Sequence, residues 1–582
     1  MKVLISTFVF LLTGLHIWAQ QGDNNFTIYT ITNQQVEPAS RILENPKIID
    51  SVKATAVKDY PLLFFQAETK ILLDTIEAAT VETSEKLAKL YPFYVKAGIG
   101  SVIMPLGEIY YTSDRSRNMV YGAHLKHLSS FGDIKDRSKT IYAPAQYDRS
   151  SANAYFGLNE RNYQLKVDAN YSNNGFHYYG IPDSSISADS IAQRFHLMKG
   201  AAEYVWLRGD SAKLNLSFQA NYQHFLTLPT DTTKIWRSKE DNFAFKTRGW
   251  YNYKNEHFYA DLGLRYNGYK RGILDSVYTI GDTGFVVNNN IIDFKPGVWT
   301  QALSDRLKVE LGVTITADIS QLGTDFFVYP NAEFKYAMFN NIFIPYIGLR
   351  GGLKQNTLQG LAQANPFIRT NVALRNEHNP YDIYAGFKGS LSKTLSFNVG
   401  VHFMHIENKA FFVTDTLPAF DNYLTVIYDT LNQTTFEGSM SYQAAEKLKI
   451  DVLGRYNIYQ LYHNAFAWNL PVLQFTARGA YNLYDKFYAQ IDANIEMGRK
   501  ALVRAGAPNA QLEGMQSYVD LGTIVDVNLG LEYRYTPRVS LFLQANNLAA
   551  QRYNRWYSYP VQPFQVMGGI TARFWCKPKD LS

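Results

Sequence analysis

Charged residues that could line a polar channel recur in pairs, two or four positions apart. The pairs are Lys166 and Asp168, Asp261 and Arg265, Lys308 and Glu310, Asp451 and Arg455, Asp492 and Glu496, and Glu532 and Arg534. In a β-strand, residues at even spacing project from the same face. Charges on a pore wall could tune which solutes pass, or they could pair and stiffen the wall. Both readings stay open, and the mixed signs predict no strong preference for cations or anions.

Catalytic and metal-binding arrangements are not found in the sequence. The 11 histidines are scattered, and the spacing within His124/His127 and within His402/His405 places each pair on opposite faces of a strand. The sequence contains no Gly-x-Ser-x-Gly, His-Glu-x-x-His or phosphate-loop motif. We therefore expect a protein that is not an enzyme and that has no cofactor and no metal site.

The composition narrows the class of protein. The chain has 582 residues with 57 Lys plus Arg, 51 Asp plus Glu, and Tyr 42, Phe 36 and Trp 8. So many aromatic residues argue against disorder, and a mean hydropathy of −0.23 argues against a bundle of membrane helices. The single cysteine, Cys576, excludes an internal disulfide framework. Basic clusters are short and mixed with acids, so we expect no nucleic-acid partner.

The N-terminal segment differs from the rest of the chain. Residues 1–19 combine Lys2 with an apolar run that ends at Ala19, which is typical of a cleaved signal peptide; an uncleaved anchor helix is the alternative. Residues 20–90 contain several prolines and form an extension. Three placements are open for it: a periplasmic tail that docks a partner, a reduced plug inside a barrel, or a flexible leader.

Strict alternation of apolar and polar residues dominates residues 91–575. From Leu307 to Ile319 every odd position is apolar, and Tyr163–Tyr171 and Phe487–Ile495 repeat the pattern. A period of two predicts strands with one apolar and one polar face. Short turns such as Lys254-Asn255-Glu256 alternate with longer polar loops, for example 354–380 and 408–433. Short turns on one side and long loops on the other are typical of an outer-membrane barrel.

These features predict an all-β fold, a transmembrane antiparallel β-barrel in the cell outer membrane. We count 22 strands, with 20 and 24 as alternatives, and a short tail at 576–582. An open sheet edge is forbidden in lipid, so the sheet must close, with its apolar face toward the lipid. The twelve charged residues would then line the bore. Tyrosines near strand ends would form the interfacial girdles: Tyr171, Tyr222, Tyr266, Tyr456, Tyr481 and Tyr535.

The C-terminal strands resemble those of TonB-dependent receptors. Phe542-Leu543-Gln544-Ala545-Asn546-Asn547-Leu548, followed by Arg552-Tyr553-Asn554, is similar to the penultimate strand of that family. Gly568–Trp575 is similar to the final strand that the barrel-insertion machinery reads. The resemblance covers about residues 91–575 and implies a transport barrel.

The chain departs from the family pattern in two ways, and both bear on the kind of transport that we expect. A family member carries a plug domain inside the barrel, but residues 20–90 are about half as long as a plug requires. The chain also continues past the terminal aromatic residue, from Cys576 to Ser582. We therefore expect a barrel without a plug that carries out passive or partner-gated transport of a small polar solute. The alternative is a non-transporting scaffold that docks a periplasmic protein through residues 20–90.

Overall fold

A computed structural model describes residues 91–114, 116–135, 141–181, 187–206, 214–229, 237–270, 286–303, 306–321, 323–415, 423–444 and 447–574. The predicted signal peptide, the extension 20–90 and the tail 576–582 lie outside these residues, so their assignments stay predictions. Within the described part of the chain, no helix combines the length and the apolar character needed to cross a membrane.

The described residues form 29 β-strands, one short α-helix and one 3₁₀ turn. The helix α1 is Leu358–Ala364 and the 3₁₀ turn is Ala188–Ile191. The strands are β1 Phe93–Gly100, β2 Met104–Thr112, β3 Met119–Ser130, β4 Ile134–Lys135, β5 Ile141–Ala143, β6 Tyr147–Asn159, β7 Tyr163–His177, β8 Ala192–Trp206, β9 Leu214–Pro229, β10 Lys239–Tyr253, β11 Glu256–Lys270, β12 Val286–Ala302, β13 Leu307–Ser320, β14 Gly323–Tyr336, β15 Ile344–Lys354, β16 Glu377–Ser392, β17 Leu395–Thr414, β18 Leu424–Ala444, β19 Leu448–Leu461, β20 Leu473–Leu483, β21 Phe487–Met497, β22 Lys500–Leu502, β23 Gln511–Glu513, β24 Gln516–Asp520, β25 Ile524–Arg534, β26 Val539–Asn546, β27 Asn554–Trp556, β28 Tyr559–Pro560 and β29 Gln565–Phe574.

Twenty-two of these strands form one closed antiparallel sheet. Each wall strand pairs with the next one along the chain, and β29 pairs with β1 from Phe93↔Phe574 to Gly100↔Met567. Closure leaves no open edge, as the bilayer requires. The predicted fold class and strand count are therefore confirmed. The remaining seven strands, β4, β5, β22–β24, β27 and β28, belong to small sheets in the long loops.

The two faces of the sheet differ as the alternation predicts. On β13, Leu311 and Ile315 are 54% and 43% exposed, whereas Thr316 on the other face is fully buried. All six predicted girdle tyrosines are exposed on the apolar face. The exposed apolar side chains form an outer belt that suits contact with lipid chains.

Two local predictions differ from the structure. The sequence pattern predicts a first strand over Tyr91–Met104, but β1 ends at Gly100, where a turn leads directly into β2. The loop predicted at 408–433 is largely strand, because β17 continues to Thr414 and β18 begins at Leu424. A bulge between Ile406 and Lys409, with Asn408 at a positive φ of 55°, shifts the alternation by one residue and hides these strands from a period-two pattern.

Candidate functional site: the charged bore face and the outer lid

The twelve predicted charged residues all lie on the sheet face opposite the exposed apolar belt. Nine of them stand directly across from a polar residue other than tyrosine on a neighbouring strand: Lys166 opposite Glu203, Asp261 opposite Arg248, Lys308 opposite Lys335, Glu310 opposite Glu333, Asp451 opposite Ser441, Arg455 opposite Glu437, Asp492 opposite Arg478, Glu496 opposite Gln474 and Arg534 opposite Ser540. In a closed barrel with an apolar exterior this face is the bore. A role of these residues in lining a conducting pore stays a prediction.

Most of these charges contact partners on the bore face. Arg248 donates two hydrogen bonds to Asp261 at 2.5 and 2.6 Å, and Arg455 donates one to Glu437 at 2.7 Å. The other contacts are Lys166–Glu203 at 3.5 Å, Arg265–Asp293 at 2.7 Å, Tyr259–Glu310 at 2.7 Å, Lys449–Asp451 at 3.2 Å, Arg478–Asp492 at 3.5 Å, Arg555–Glu496 at 2.9 Å and Arg534–Glu532 at 3.7 Å. Asp168 lies beside Lys166 and Glu203, and Lys308 lies over Trp299. The bore face is therefore a network of paired charges of both signs.

The bore face also carries charged residues beyond the twelve predicted ones. Lys126 contacts Glu108 at 2.7 Å, and Arg350 contacts Asp382 at 2.9 Å. The same alternation marks β2, β3, β15 and β16, so the signal was present in the sequence. These pairs extend the charged network around the wall.

Aromatic side chains of the bore face lie over glycines of neighbouring strands. A Cβ atom at Gly348 would stand 2.3 Å from the Tyr384 ring, and one at Gly297 would stand 2.3 Å from the Tyr259 ring. The hydroxyls of these tyrosines donate to Glu333 at 3.0 Å and to Glu310 at 2.7 Å. Glycine therefore makes room for a ring that in turn positions a carboxylate of the bore. Gly348 belongs to the glycine-rich stretch 348–352, for which the sequence favours a role in strand crowding or curvature over a phosphate-binding loop.

Long loops from separated parts of the wall meet at the end of the barrel opposite the short turns, which is the outer end in barrels of this class. This outer lid consists of residues 178–191, 355–376, 415–423 and 547–564 where described, together with the adjoining strand ends. Its buried apolar core contains Phe176, Tyr178, Ile181, Ile191, Phe195, Phe225, Tyr269, Leu358, Leu361, Ala362, Ile368, Val372, Tyr423, Leu424, Val426 and Tyr559. The apolar residues of these loops follow no strand or helix period, so the sequence does not reveal this core.

Hydrogen bonds to backbone carbonyls connect the segments of the lid. The Tyr178 hydroxyl donates to the Ile368 carbonyl at 3.0 Å. The hydroxyls of Tyr269 and Ser238 both donate to the Thr370 carbonyl at 2.6 Å. The rings of Phe367 and Tyr559 stack at 3.8 Å, which joins the 355–376 segment to the last long loop. The 355–376 segment, which we call the lid segment, is therefore attached to several strands at once.

The carboxylate of Glu240 accepts hydrogen bonds from the first turn of helix α1. Glu240 is fully buried at the outer end of β10, and it accepts hydrogen bonds from the backbone N–H groups of Leu358 at 2.7 Å and Gln359 at 2.8 Å. Thr357 adds a cap, because its hydroxyl accepts from the Gly360 N–H at 2.9 Å. The free N–H groups of a helix start favour a negative charge. A barrel residue thus fixes the lid segment in position.

A buried ion pair and a buried guanidinium group strengthen the lid at two further places. Arg369 of the lid segment contacts Asp415 at the end of β17, and both side chains are 5% exposed. In the next long loop, Arg499 donates to the carbonyls of Asn554 and Arg555 at 2.8 Å. Burial, and then the nearby Arg555, lower the pKa of the Arg499 guanidinium to about 10, so it stays charged at neutral pH. Such buried pairs are costly to break by removing only one partner.

The arrangement can bind and orient polar solutes but holds no catalytic constellation among the residues described. Within the same part of the chain, no group of three or more His, Cys, Asp or Glu side chains could hold a metal ion. These residues therefore provide charges and hydrogen-bonding groups on the bore face and a packed set of loops at one end of the barrel.

Comparison with solved structures identifies the fold. The structure is similar to the FrpB iron transporter from Neisseria meningitidis, with a TM-score of 0.63 and 10% identity over 84% of this chain and 82% of that one. It is similar to the ferric-catecholate import receptor Fiu from E. coli K12, with a TM-score of 0.58 and 11% identity over 83% and 82% of the two chains. It is also similar to the copper transporter OprC, with a TM-score of 0.58 and 11% identity over 83% and 80%.

Sequence comparisons add no closer relationship. No family model matches the chain, and no curated protein matches it. The structural likeness establishes a barrel with the fold of outer-membrane transport proteins, and with the exposed apolar belt it places the protein in the cell outer membrane. The predicted absence of a plug domain concerns residues outside the described part and stays a prediction.

Proposed function

We propose that the protein is a gated outer-membrane transport barrel for a small polar solute. A bore face of paired charges and tyrosine hydroxyls offers a hydrated surface to polar molecules and excludes apolar ones. The solved barrels of similar fold include proteins named as an iron transporter, an import receptor and a copper transporter, which supports the transport class.

The observation that carries the gating is the lid. An apolar core built from several loops, with buried hydrogen bonds and ion pairs, is a stable closed arrangement rather than a set of loose loops. A barrel of this width without such a cover would be an open aqueous channel. Passage of a solute therefore requires displacement of the lid segment, by the solute itself or by a partner acting from the periplasm.

A non-transporting scaffold is the second candidate. The same closed lid favours it, because a barrel that never conducts needs no opening. In that case residues 20–90 would recruit a periplasmic protein, and the barrel would serve as its membrane anchor. Recovery of one stoichiometric partner by the full-length protein, but not by a variant lacking residues 20–90, would support this candidate.

Planar-bilayer conductance separates the two candidates. One variant replaces residues 357–374 with a short Gly-Ser linker, which removes most of the lid segment. A matched control deletes residues 506–514, which lie in another long loop and contribute nothing to the lid core. We expect steady conductance from the first variant only. Absence of conductance from a correctly folded lid-deleted barrel, also after removal of residues 20–90, would favour the scaffold.

A further inference from the structure

Three lysines lie together on the bore face near the short-turn end of the barrel. Lys308 stands near the start of β13, Lys335 near the end of β14, and Lys388 near the end of β16. The chain enters and leaves these strands through short turns, so the cluster faces the periplasmic end of the bore. The lid is at the opposite end.

The cluster brings like charges together. Lys308 and Lys335 are direct partners in the β13–β14 register. Lys388 lies across β15 from Lys335, because Lys335 pairs with Tyr346, Tyr346 pairs with Gly386, and Lys388 is two residues further along the same face of β16. Like charges placed directly opposite each other in a sheet are destabilising. A binding function for an anion would explain why the wall keeps this arrangement.

Carboxylates near the cluster compensate only part of its charge. Glu333 pairs with Lys335 and also accepts a hydrogen bond from the Tyr384 hydroxyl at 3.0 Å. Glu310, opposite Glu333, accepts from the neutral groups of Tyr259 at 2.7 Å and Asn331 at 3.2 Å. The carboxylate that acts on the Lys388 ammonium is Glu333, the same one that pairs with Lys335. The cluster therefore keeps a local excess of positive charge, although the bore face as a whole is mixed.

A tryptophan next to the cluster provides an internal reporter. The Lys308 ammonium lies 4.5 Å from the centroid of the Trp299 ring, and that ring stacks on His257 at 3.6 Å. A cation over an indole face is attracted by the ring electrons. A change in the charge around Lys308 will therefore alter the emission of Trp299.

We propose that Lys308, Lys335 and Lys388 bind the anionic group, a carboxylate or a phosphate, of a small solute in the bore. Ammonium groups are compact charges with three donors each, so they can surround an anion while their mutual repulsion is relieved. The proposal rests on the transport function above and names the chemical class of its solute. Neutral polar solutes of similar size would bind less well at this wall.

A fluorescence titration tests the site. Purified full-length protein and the lid-deleted variant are titrated in detergent at low ionic strength with succinate, with inorganic phosphate and with glycerol, each in a separate arm. Low ionic strength limits screening of the lysines. We expect a saturable change in emission with at least one anion and none with glycerol, and the change should vanish in Trp299→Phe.

Substitutions of the lysines test whether the anion binds at this cluster. The double variant Lys335→Gln/Lys388→Gln should weaken anion binding at least about tenfold. Lys449→Gln is the matched control, because Lys449 also lies near the short-turn end but pairs with Asp451 at 3.2 Å. No saturable binding in either protein, or equal weakening by the control variant, would overturn the proposal.

Conductance distinguishes failure of the site from failure of the transport function. Anion binding by a lid-deleted barrel that does not conduct would retain the site and reject transport. Conductance that neither anion affects, together with no binding, would retain transport and reject the site.

Discussion

At the scale of single residues, the structure depends on polar groups that hold one another in place. Glu240 illustrates this, because its fully buried carboxylate accepts hydrogen bonds from two backbone N–H groups of the lid segment. The bore glycines illustrate the converse, because their missing side chains admit the rings that orient Glu310 and Glu333. Small changes at such positions should therefore have specific consequences.

Replacement of Glu240 should loosen the lid segment. Glu240→Ala leaves two buried N–H groups unpaired, each costing roughly 1–3 kcal/mol. We expect hydrogen exchange of residues 357–364 to accelerate at least about tenfold, with little change in the wall strands. Glu240→Gln is the control, since its amide oxygen still accepts a hydrogen bond. Unchanged exchange in Glu240→Ala would mean that Glu240 does not hold the segment.

A methyl group at Gly348 should destabilise the barrel. The Cβ atom of Gly348→Ala would stand 2.3 Å from the Tyr384 ring, and overpacking of this kind costs about 1–3 kcal/mol. The matched control is Gly263→Ala, also on the bore face, where the new Cβ atom would meet only Asp293 at 3.5 Å. Unfolding in denaturant should show a lower midpoint for the first variant alone. Equal midpoints would show that Tyr384 can move aside.

At the scale of elements, helix α1 is stable because it packs against the barrel. Seven residues are too few for a helix that is stable in water by itself. Leu358, Leu361 and Ala362 are buried in the lid core, and the first turn is bound by Glu240 and Thr357. Docking therefore supplies the stability that the short segment lacks.

The Arg369–Asp415 pair tests how the lid segment is attached. Arg369→Met leaves a buried carboxylate without its charged partner, which costs about 3–5 kcal/mol. We expect faster protease cleavage within the lid segment of that variant. The double variant Arg369→Met/Asp415→Leu should recover most of the resistance, since no buried charge remains. A double variant cleaved as fast as the single one would contradict this explanation.

The sequence predicts the wall far better than the lid, for a physical reason. Every wall strand has one face in lipid, so alternation marks it; Leu307–Ile319 alternates without a break, and β13 follows it. A bulge at Asn408 interrupts the pattern, and the alternation therefore does not predict the last third of β17, residues 408–414. The lid core combines single apolar residues from many segments, and contacts such as Tyr178–Ile368 depend on closure of the whole barrel.

At the scale of the whole molecule, the sheet separates lipid from a polar bore. This separation predicts which positions contact lipid. In a Cys576→Ser background, a fluorophore attached at Leu311→Cys should be quenched by a nitroxide on the lipid chains, and one at Thr314→Cys should not. Quenching at position 314 instead of 311 would reverse the two faces.

The whole molecule is thus a polar bore with an attached outer lid, and its proposed function is gated transport. Single-channel recording of the lid-deleted barrel beside the full-length protein and the 506–514 deletion tests this claim most directly. We predict long, steady openings for the lid-deleted barrel and closed traces for the other two. Equal conductance in all three would show that the lid does not gate the bore, and no conductance in any of them would contradict transport.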